Sequence, residues 1–338
     1  KDADYRSDIT LPIDDFFKFD QKALVSATPI ELHDPRFKEQ NFQTIEIQPT
    51  FDYKKEIWLH HTNNTLQAFK NVLSKLDNEE VAPLPICVFI NSTDIIYSLM
   101  KQLDLLEESA VFCAPKSVDK LKKNRFCNAY EQWSKDKMKR YNFFTSRFFN
   151  AVDMELEEQP HVIMLTDVYF AEHTMIDPYT DAIQIVGRFR NGVSSITYIS
   201  NTKKGLSQRS KEEIKGYLIC SKEIYRTMKN FYDCATDRAS RDAYRAALES
   251  LPFNRMLDRN GRENWFAIDN YIDEELMKNY FHDENSLYKA YDNCDSFIVY
   301  HAGYYCPLGD SERLKRENKS QSIKDKRKEI VRQLEMLG

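Results

Sequence analysis

The 338 residues contain no Gly-x-x-x-x-Gly-Lys-Ser/Thr string, so the chain lacks the usual loop of backbone N–H groups and lysine that cradles a triphosphate. The nearest match, Gly187 to Ser194, has Val193 where the lysine is required. No Cys-x-x-Cys pair occurs either. The seven cysteines (Cys87, Cys113, Cys127, Cys220, Cys234, Cys294 and Cys306) are odd in number and widely scattered. That argues against a disulfide scaffold and fits reduced thiols in the cytoplasm. No apolar run is long enough to span a bilayer, so no membrane contact is expected. The amino terminus, Lys-Asp-Ala-Asp-Tyr-Arg, lacks the apolar core of a signal peptide. It also lacks an initiator methionine, and the chain is expected to be part of a longer protein. Positive charge is not in excess: the formal charge of -5 excludes coating of nucleic acid by bulk charge but leaves room for a local basic groove.

A hydrophobic fraction of 42% is enough for one large or two ordinary domains. Lys22–Ser26 reads as a short apolar strand and Phe42–Gln48 as an alternating one, with a mixed connector through Trp58 and His61. A helix follows over Thr62–Leu76, with Thr62 or Asn63 as its cap. Ile86–Ile90, Ala110–Ala114, Tyr141–Phe144, His161–Leu165 and Ser195–Ser200 are the remaining strands, several of them continuous apolar runs of the kind buried in parallel sheets. Helices are expected at Ile95–Leu103, Lys116–Lys123 and Phe126–Met138. This alternation argues for an α/β, doubly wound parallel sheet. From Thr202 the character changes, and Ser210–Asp233 and Arg238–Leu251 read as helices whose aromatic stripes are core or a base-stacking surface. Ser311–Gly338 alternates charges and reads as an exposed helix or a frayed tail.

Several segments carry chemistry. Between Lys116 and Arg147 ten basic residues face three acidic ones, a local +7 that suits either phosphate neutralisation or a solvated helix face. Asn91-Ser92-Thr93 follows a buried strand and opens a helix, where N–H groups meet phosphate or Ser92 simply caps. Ser26-Ala27-Thr28 precedes Pro29. Thr145 ends a strand and Asp153 lies eight residues on. Asp181–Gly192 contains Gln184-x-x-Gly187-Arg188-x-Arg190, which taken alone could be only the charged end of a helix, although two guanidiniums on one short turn also suit the charge spread over a phosphoryl group. The pair His60-His61 and the set Cys294, His301 and Cys306 lack metal-ligand spacing, so no metal site is expected.

Taken in order, these segments resemble motifs three to six of superfamily two DNA and RNA helicases of the DEAD/DEAH-like kind, with a fainter similarity to herpesvirus origin-binding helicases that leans towards DNA. The resemblance implies a RecA-like carboxyl-terminal helicase lobe at 39–201, preceded at 1–38 by the last strand of a first lobe and a linker. A mainly helical appendage would occupy 202–338. It assigns Arg188 and Arg190 to the triphosphate as catalytic arginines, and Asp153, Gly187 and Gln184 to nucleotide binding. Asn91, Ser92, Thr145 and Arg147 would contact the nucleic-acid backbone, while Ser26 and Thr28 couple nucleotide state to lobe movement. ATP and Mg2+ are the cofactors of the intact two-lobed parent, the metal held mainly by the missing amino-terminal lobe. The chain alone is expected not to hydrolyse ATP. Two departures stand out: Ala151 occupies a position where the family prefers glycine, and the second arginine comes one residue early. The alternative is a non-catalytic helicase-like module that binds nucleic acid or protein. A two-lobed glycosyltransferase shares the sheet architecture but gives no reason for these motifs in this order.

Overall fold

The structure, a computed structural model, describes residues 13–29, 31–78, 83–150 and 152–312. The expectations for Ala151 and for the stretch after Glu312 therefore lie outside the described residues. The helices in chain order are α1 (Ile13–Phe16), α2 (Pro35–Glu39), α3 (Thr65–Asp77), α4 (Thr93–Gln102), α5 (Pro115–Lys123), α6 (Asp181–Gly187), α7 (Lys211–Cys234), α8 (Arg238–Ser250), α9 (Trp265–Met277) and α10 (Glu284–Asp292). The strands are β1 (Lys55–Thr62), β2 (Ile86–Phe89), β3 (Ser109–Phe112), β4 (Ala129–Tyr130), β5 (Tyr141–Phe144), β6 (His161–Thr166), β7 (Ser195–Ser200) and β8 (Phe297–Tyr304). One compact unit is built from the segment up to Phe51 together with Leu206–Tyr280. The other is built from Asp52–Gly205 and the segment from Phe281 on.

The second unit is an eight-stranded sheet in the order β4-β3-β5-β2-β6-β7-β1-β8, with every pairing parallel. The chain steps from β1 through α3, α4 and α5 towards the β4 edge, then returns to the β8 edge through α6 and α10. Right-handed crossovers therefore put the first three helices on one face and the last two on the other. The apolar sides of α3, α4 and α5 close over Ile86, Val88, Val111, Phe143 and Ile163. This is the expected α/β architecture, an all-parallel sheet flanked by helices, with a helical region near the carboxyl end. β2, β3, β5 and β6 are buried at every residue, because both faces are covered.

Several local expectations change. Lys22–Ser26 and Phe42–Gln48 are not strands: among the described residues nothing pairs with them, and Val25, Ile45 and Ile47 are 95%, 82% and 88% exposed. An apolar alternation becomes a strand only where a neighbouring edge takes its backbone groups. The connector through Trp58 instead contains β1, in which Ile57 and Leu59 point inward. The cap of α3 is Asn64, whose side chain accepts from the Gln67 N–H. The helix expected over Phe126–Met138 does not form: α5 ends at Lys123, Arg125 turns the chain in the left-handed region (φ 64), and the segment makes β4 and a short 3-10 turn at Lys135–Lys137. The block 202–338 is not one appendage, because β8 pairs along the whole of β1 and completes the sheet.

In the helical unit α7 begins with a capping box between Ser210 and Glu213. Its core gathers Ile214, Leu218, Phe253, Met256, Ile268 and Ile272. The aromatic residues of α7 pair with other rings of the unit while keeping much of their surface exposed: Tyr217 stacks on Tyr271, Tyr225 lies against Phe253 and Phe231 stacks on Tyr244. Phe17, Phe37 and Phe42 form a second nest, and the buried Asp269 of α9 holds His33 Nδ1 at 2.7 Å.

Candidate functional site

Phe89 and Phe144, the last residues of neighbouring β2 and β5, stack at 5.0 Å. They found a layer of rings that fixes the site. The chain leaving β5 makes a 3-10 turn at Ser146–Phe148; Phe148 packs on Phe144, and Phe149 on Phe89. Phe189, between the two arginines, meets the same Phe89 ring edge-on at 6.0 Å. Two segments far apart in sequence are thus anchored on one ring. Their backbones also pair, the Met154 N–H donating to Arg188 O (2.8 Å) and the Arg190 N–H to Met154 O (3.3 Å).

Because Phe189 points inward, Arg188 and Arg190 emerge on either side of it. Arg188 donates to Gln184 O (3.0 Å), Asn150 O (3.1 Å), Gln184 Oε1 (2.9 Å) and, at 3.4 Å, Asp153 Oδ1. Arg190 donates to the same Asp153 oxygen at 2.8 Å. The expected residues Asp153, Gln184, Arg188 and Arg190 therefore converge into one cluster. Gly187, the last residue of α6, is exposed, and a Cβ built there meets nothing within 4 Å. Neither space nor backbone conformation in this chain requires glycine at that position. Gly192 differs: its φ of +86 lies where any other L side chain is strained, whereas the Gln159 amide 3.0 Å from a built Cβ can swing aside.

The expected backbone contacts line the carboxyl rim beside this cluster. Thr145 is buried at the end of β5 and its N–H donates to Phe112 O, while Arg147 is exposed one turn on. On the adjacent strand, Ser92 caps α4 through the Ile95 N–H (3.3 Å) and Asn91 donates to His173 O (3.1 Å). Ser26 and Thr28 belong to the helical unit's segments, where Ser26 Oγ accepts the Thr28 N–H at 3.1 Å. The +7 run does not fold into one surface. Lys116 opens α5 at the rim and Lys122 and Lys123 close it at the other end, while Lys120 pairs with Asp94, Lys135 with Glu157 and Arg140 with Asp77.

A second polar cluster, which the sequence did not reveal, fills the carboxyl ends of β6, β7 and β1. Asp167 Oδ1 accepts from the Tyr169 and Phe170 N–H groups and from Asn201 Nδ2, and its Oδ2 accepts from Thr65 Oγ1. Asn201 Nδ2 also donates to Asp310 Oδ2, which accepts the Thr65 N–H at the start of α3. The only available signal was polar residues placed immediately after apolar strands. In the helical unit a cavity of about 570 Å³ is lined by Asp14, Asp34, Arg36, Lys222, Asp258 and Arg262. Its cations are paired with neighbouring carboxylates. Among the described residues no group of three or more His, Cys, Asp or Glu side chains is arranged to hold a metal, and no helix is long and apolar enough to cross a membrane.

Burial lowers the pKa of His61, against the pull of Glu284; burial, with Lys75, lowers that of His60. Both rings therefore resist protonation when folded. The unfolded chain takes up these protons near pH 6.5, so their contribution to stability is complete above that pH and is lost as pH falls below it. Each histidine contributes a slope of at most about 1.4 kcal/mol per pH unit. The thermal midpoint is expected to fall between pH 7 and 5, and His60→Gln to flatten that fall; an unchanged profile in the variant would show that His60 titrates alike in both states.

No protein-family model matches the chain, and the search of curated proteins gives no match.

Proposed function

We propose that the sheet unit is the second, RecA-like lobe of an ATP-dependent superfamily two helicase or translocase acting on nucleic acid, with DNA the better fit. The observation that carries this reading is the convergence of Asp153, Gln184, Arg188 and Arg190 on one ring-anchored patch. Such a patch has the donor chemistry of the far wall of a triphosphate site: always-charged planar groups that compensate the charge developing on equatorial oxygens. The rim residues Asn91, Ser92, Thr145 and Arg147 suit the nucleic-acid backbone, since hydroxyl, amide and guanidinium groups next to helix ends are the usual phosphate contacts. The residues present fit one wall of an ATP site and not its cradle, so phosphate loop and magnesium ligands have to come from another lobe. ATP supplies the transferable phosphoryl group; this chain's part is to orient the arginines and hold the rim.

The test is steady-state ATPase activity of the full-length protein with single-stranded DNA, single-stranded RNA or neither, beside Gly187→Ala. In the wild type one polymer is expected to stimulate turnover. Gly187→Ala leaves the fold intact or slightly firmer, because alanine suits a helix end better by up to about 1 kcal/mol, yet turnover falls if ligand approaches that open face. Absence of turnover in the full-length protein under every condition would sink the motor and leave a non-catalytic binding module.

A further inference from the structure

We infer that the two arginines have different roles: Arg188 is a positioning residue that ties the loop after β5 to α6, and Arg190 alone is free to engage an anionic ligand. This rests on the helicase-lobe reading for the identity of that ligand, and it departs from the resemblance, which gives both arginines to the triphosphate.

The difference lies in how each guanidinium is spent. A guanidinium offers five N–H donors. Arg188 uses Nε, both sides of Nη1 and one side of Nη2 on Gln184 O, Asn150 O, Asp153 Oδ1 and Gln184 Oε1, and its side chain is 17% exposed. Three of those acceptors are backbone or amide oxygens of the two elements it joins. To reach a phosphate, Arg188 would have to strip those bonds from partly buried oxygens, and leaving such groups unsatisfied is costly. Arg190 makes a single side-chain bond, to Asp153, and is 51% exposed. An exposed ion pair of this kind is worth little. Its carboxylate oxygen is moreover the same type of acceptor as a phosphate oxygen, so moving Arg190 from one to the other exchanges like for like. Asp153 thus parks Arg190 close to its working position. Gln184 becomes a positioning residue as well, because its amide oxygen is turned to Arg188 and away from solvent-facing ligand.

The two roles separate in two measurements. Backbone amide hydrogen exchange and thermal unfolding of the 338-residue chain report on the tie without any need for activity. Arg188→Ala is expected to speed exchange at the Met154 and Arg190 N–H groups by about tenfold or more, since local opening governs their protection, and to lower the thermal midpoint. Gln184→Ala, which removes only one of the ties, shifts exchange in the same direction by less. Arg190→Ala leaves both readings unchanged. In the full-length protein Arg190→Ala is expected to cut kcat for ATP by about a thousandfold, and Arg190→Lys to restore only part of it because lysine lacks the planar fork. The assignment is overturned if Arg188→Ala abolishes turnover with exchange unchanged, or if Arg190→Ala keeps turnover within about threefold of wild type against the thousandfold expected. A wild-type protein without ATPase activity removes the Arg190 half together with the helicase reading. The Arg188 tie then stands or falls on exchange alone.

Discussion

Asp167→Ala is expected to destabilise the sheet unit by about 4 kcal/mol, a size reached only when a buried polar network is broken. Asp167 is 1% exposed. Its two oxygens accept two backbone N–H groups, the Asn201 amide and the Thr65 hydroxyl. Alanine removes every one of those acceptors at once, and each buried donor left unsatisfied costs about 1–3 kcal/mol before water or side-chain movement recovers a part. Asp167→Asn keeps one acceptor oxygen but turns an NH2 towards donors, so it falls between wild type and alanine. Urea unfolding followed by circular dichroism would show a lower midpoint at unchanged slope. A loss below about 1 kcal/mol would mean that the network carries little of the fold's stability.

The same cluster bears on where ligands can go. Open α/β sheets bind ligands beyond the carboxyl ends of strands where the winding reverses, with a helix amino terminus facing the anion. Connections leave in opposite directions from β2 and its neighbours β5 and β6, and again from β1 and its neighbour β7, and the second of these crevices is filled. The Thr65 N–H at the start of α3 already meets the carboxylate of Asp310, and Asn201 binds Asp310 and Asp167 together. The chain's own carboxylates occupy that crevice, so its most open polar chemistry lies instead on the patch around Asp153 and along the β2–β5 rim.

How far the sequence revealed these features depended on burial and on distance along the chain. β2, β5 and β6 were readable because strands covered on both faces are apolar without interruption. β1 and β8 were not, since near a sheet edge Trp58, His60, Tyr300 and His301 interrupt the pattern. Phe42–Gln48 has a cleaner alternation than β1 but no partner, and a strand's existence depends on that partner. At the site, Thr145, Asp153 and Gln184 to Arg190 stood out through motif order, a resemblance and not a derivation. The pairing of Thr65 with Asp310, 245 residues apart, leaves no trace in local spacing. Nor does the inward turn of Phe189, which its flanking arginines disguise as part of a charged turn.

Phe189→Ala is the substitution expected to remove fold stability and arginine placement together. The ring is 5% exposed and packs edge-on against Phe89. Truncating a buried phenylalanine costs about 3–5 kcal/mol, the transfer term plus the cavity left behind. On the other side of the same residue, Met154 holds the backbone through the Arg188 carbonyl and the Arg190 N–H. With the ring gone, that short parallel bridge and the bonds from Arg188 to Gln184 and Asn150 are what still hold the turn, and without the ring to seat it both are expected to open more often. Hydrogen exchange at Met154 and Arg190 should therefore rise in Phe189→Ala, as is expected of Arg188→Ala, and under the proposed helicase reading ATP turnover of the full-length protein should fall with it. Phe189→Leu refills most of the volume, and apolar swaps of similar size cost below about 1.5 kcal/mol, so it should recover both readings. If Phe189→Ala loses stability while exchange at Met154 and Arg190 stays slow, the Met154 pairing and the Arg188 tie fix the turn without the ring, which then serves only the core. If both change and Phe189→Leu reverses both, the layer of phenylalanines under the loops is what sets the arginines in place.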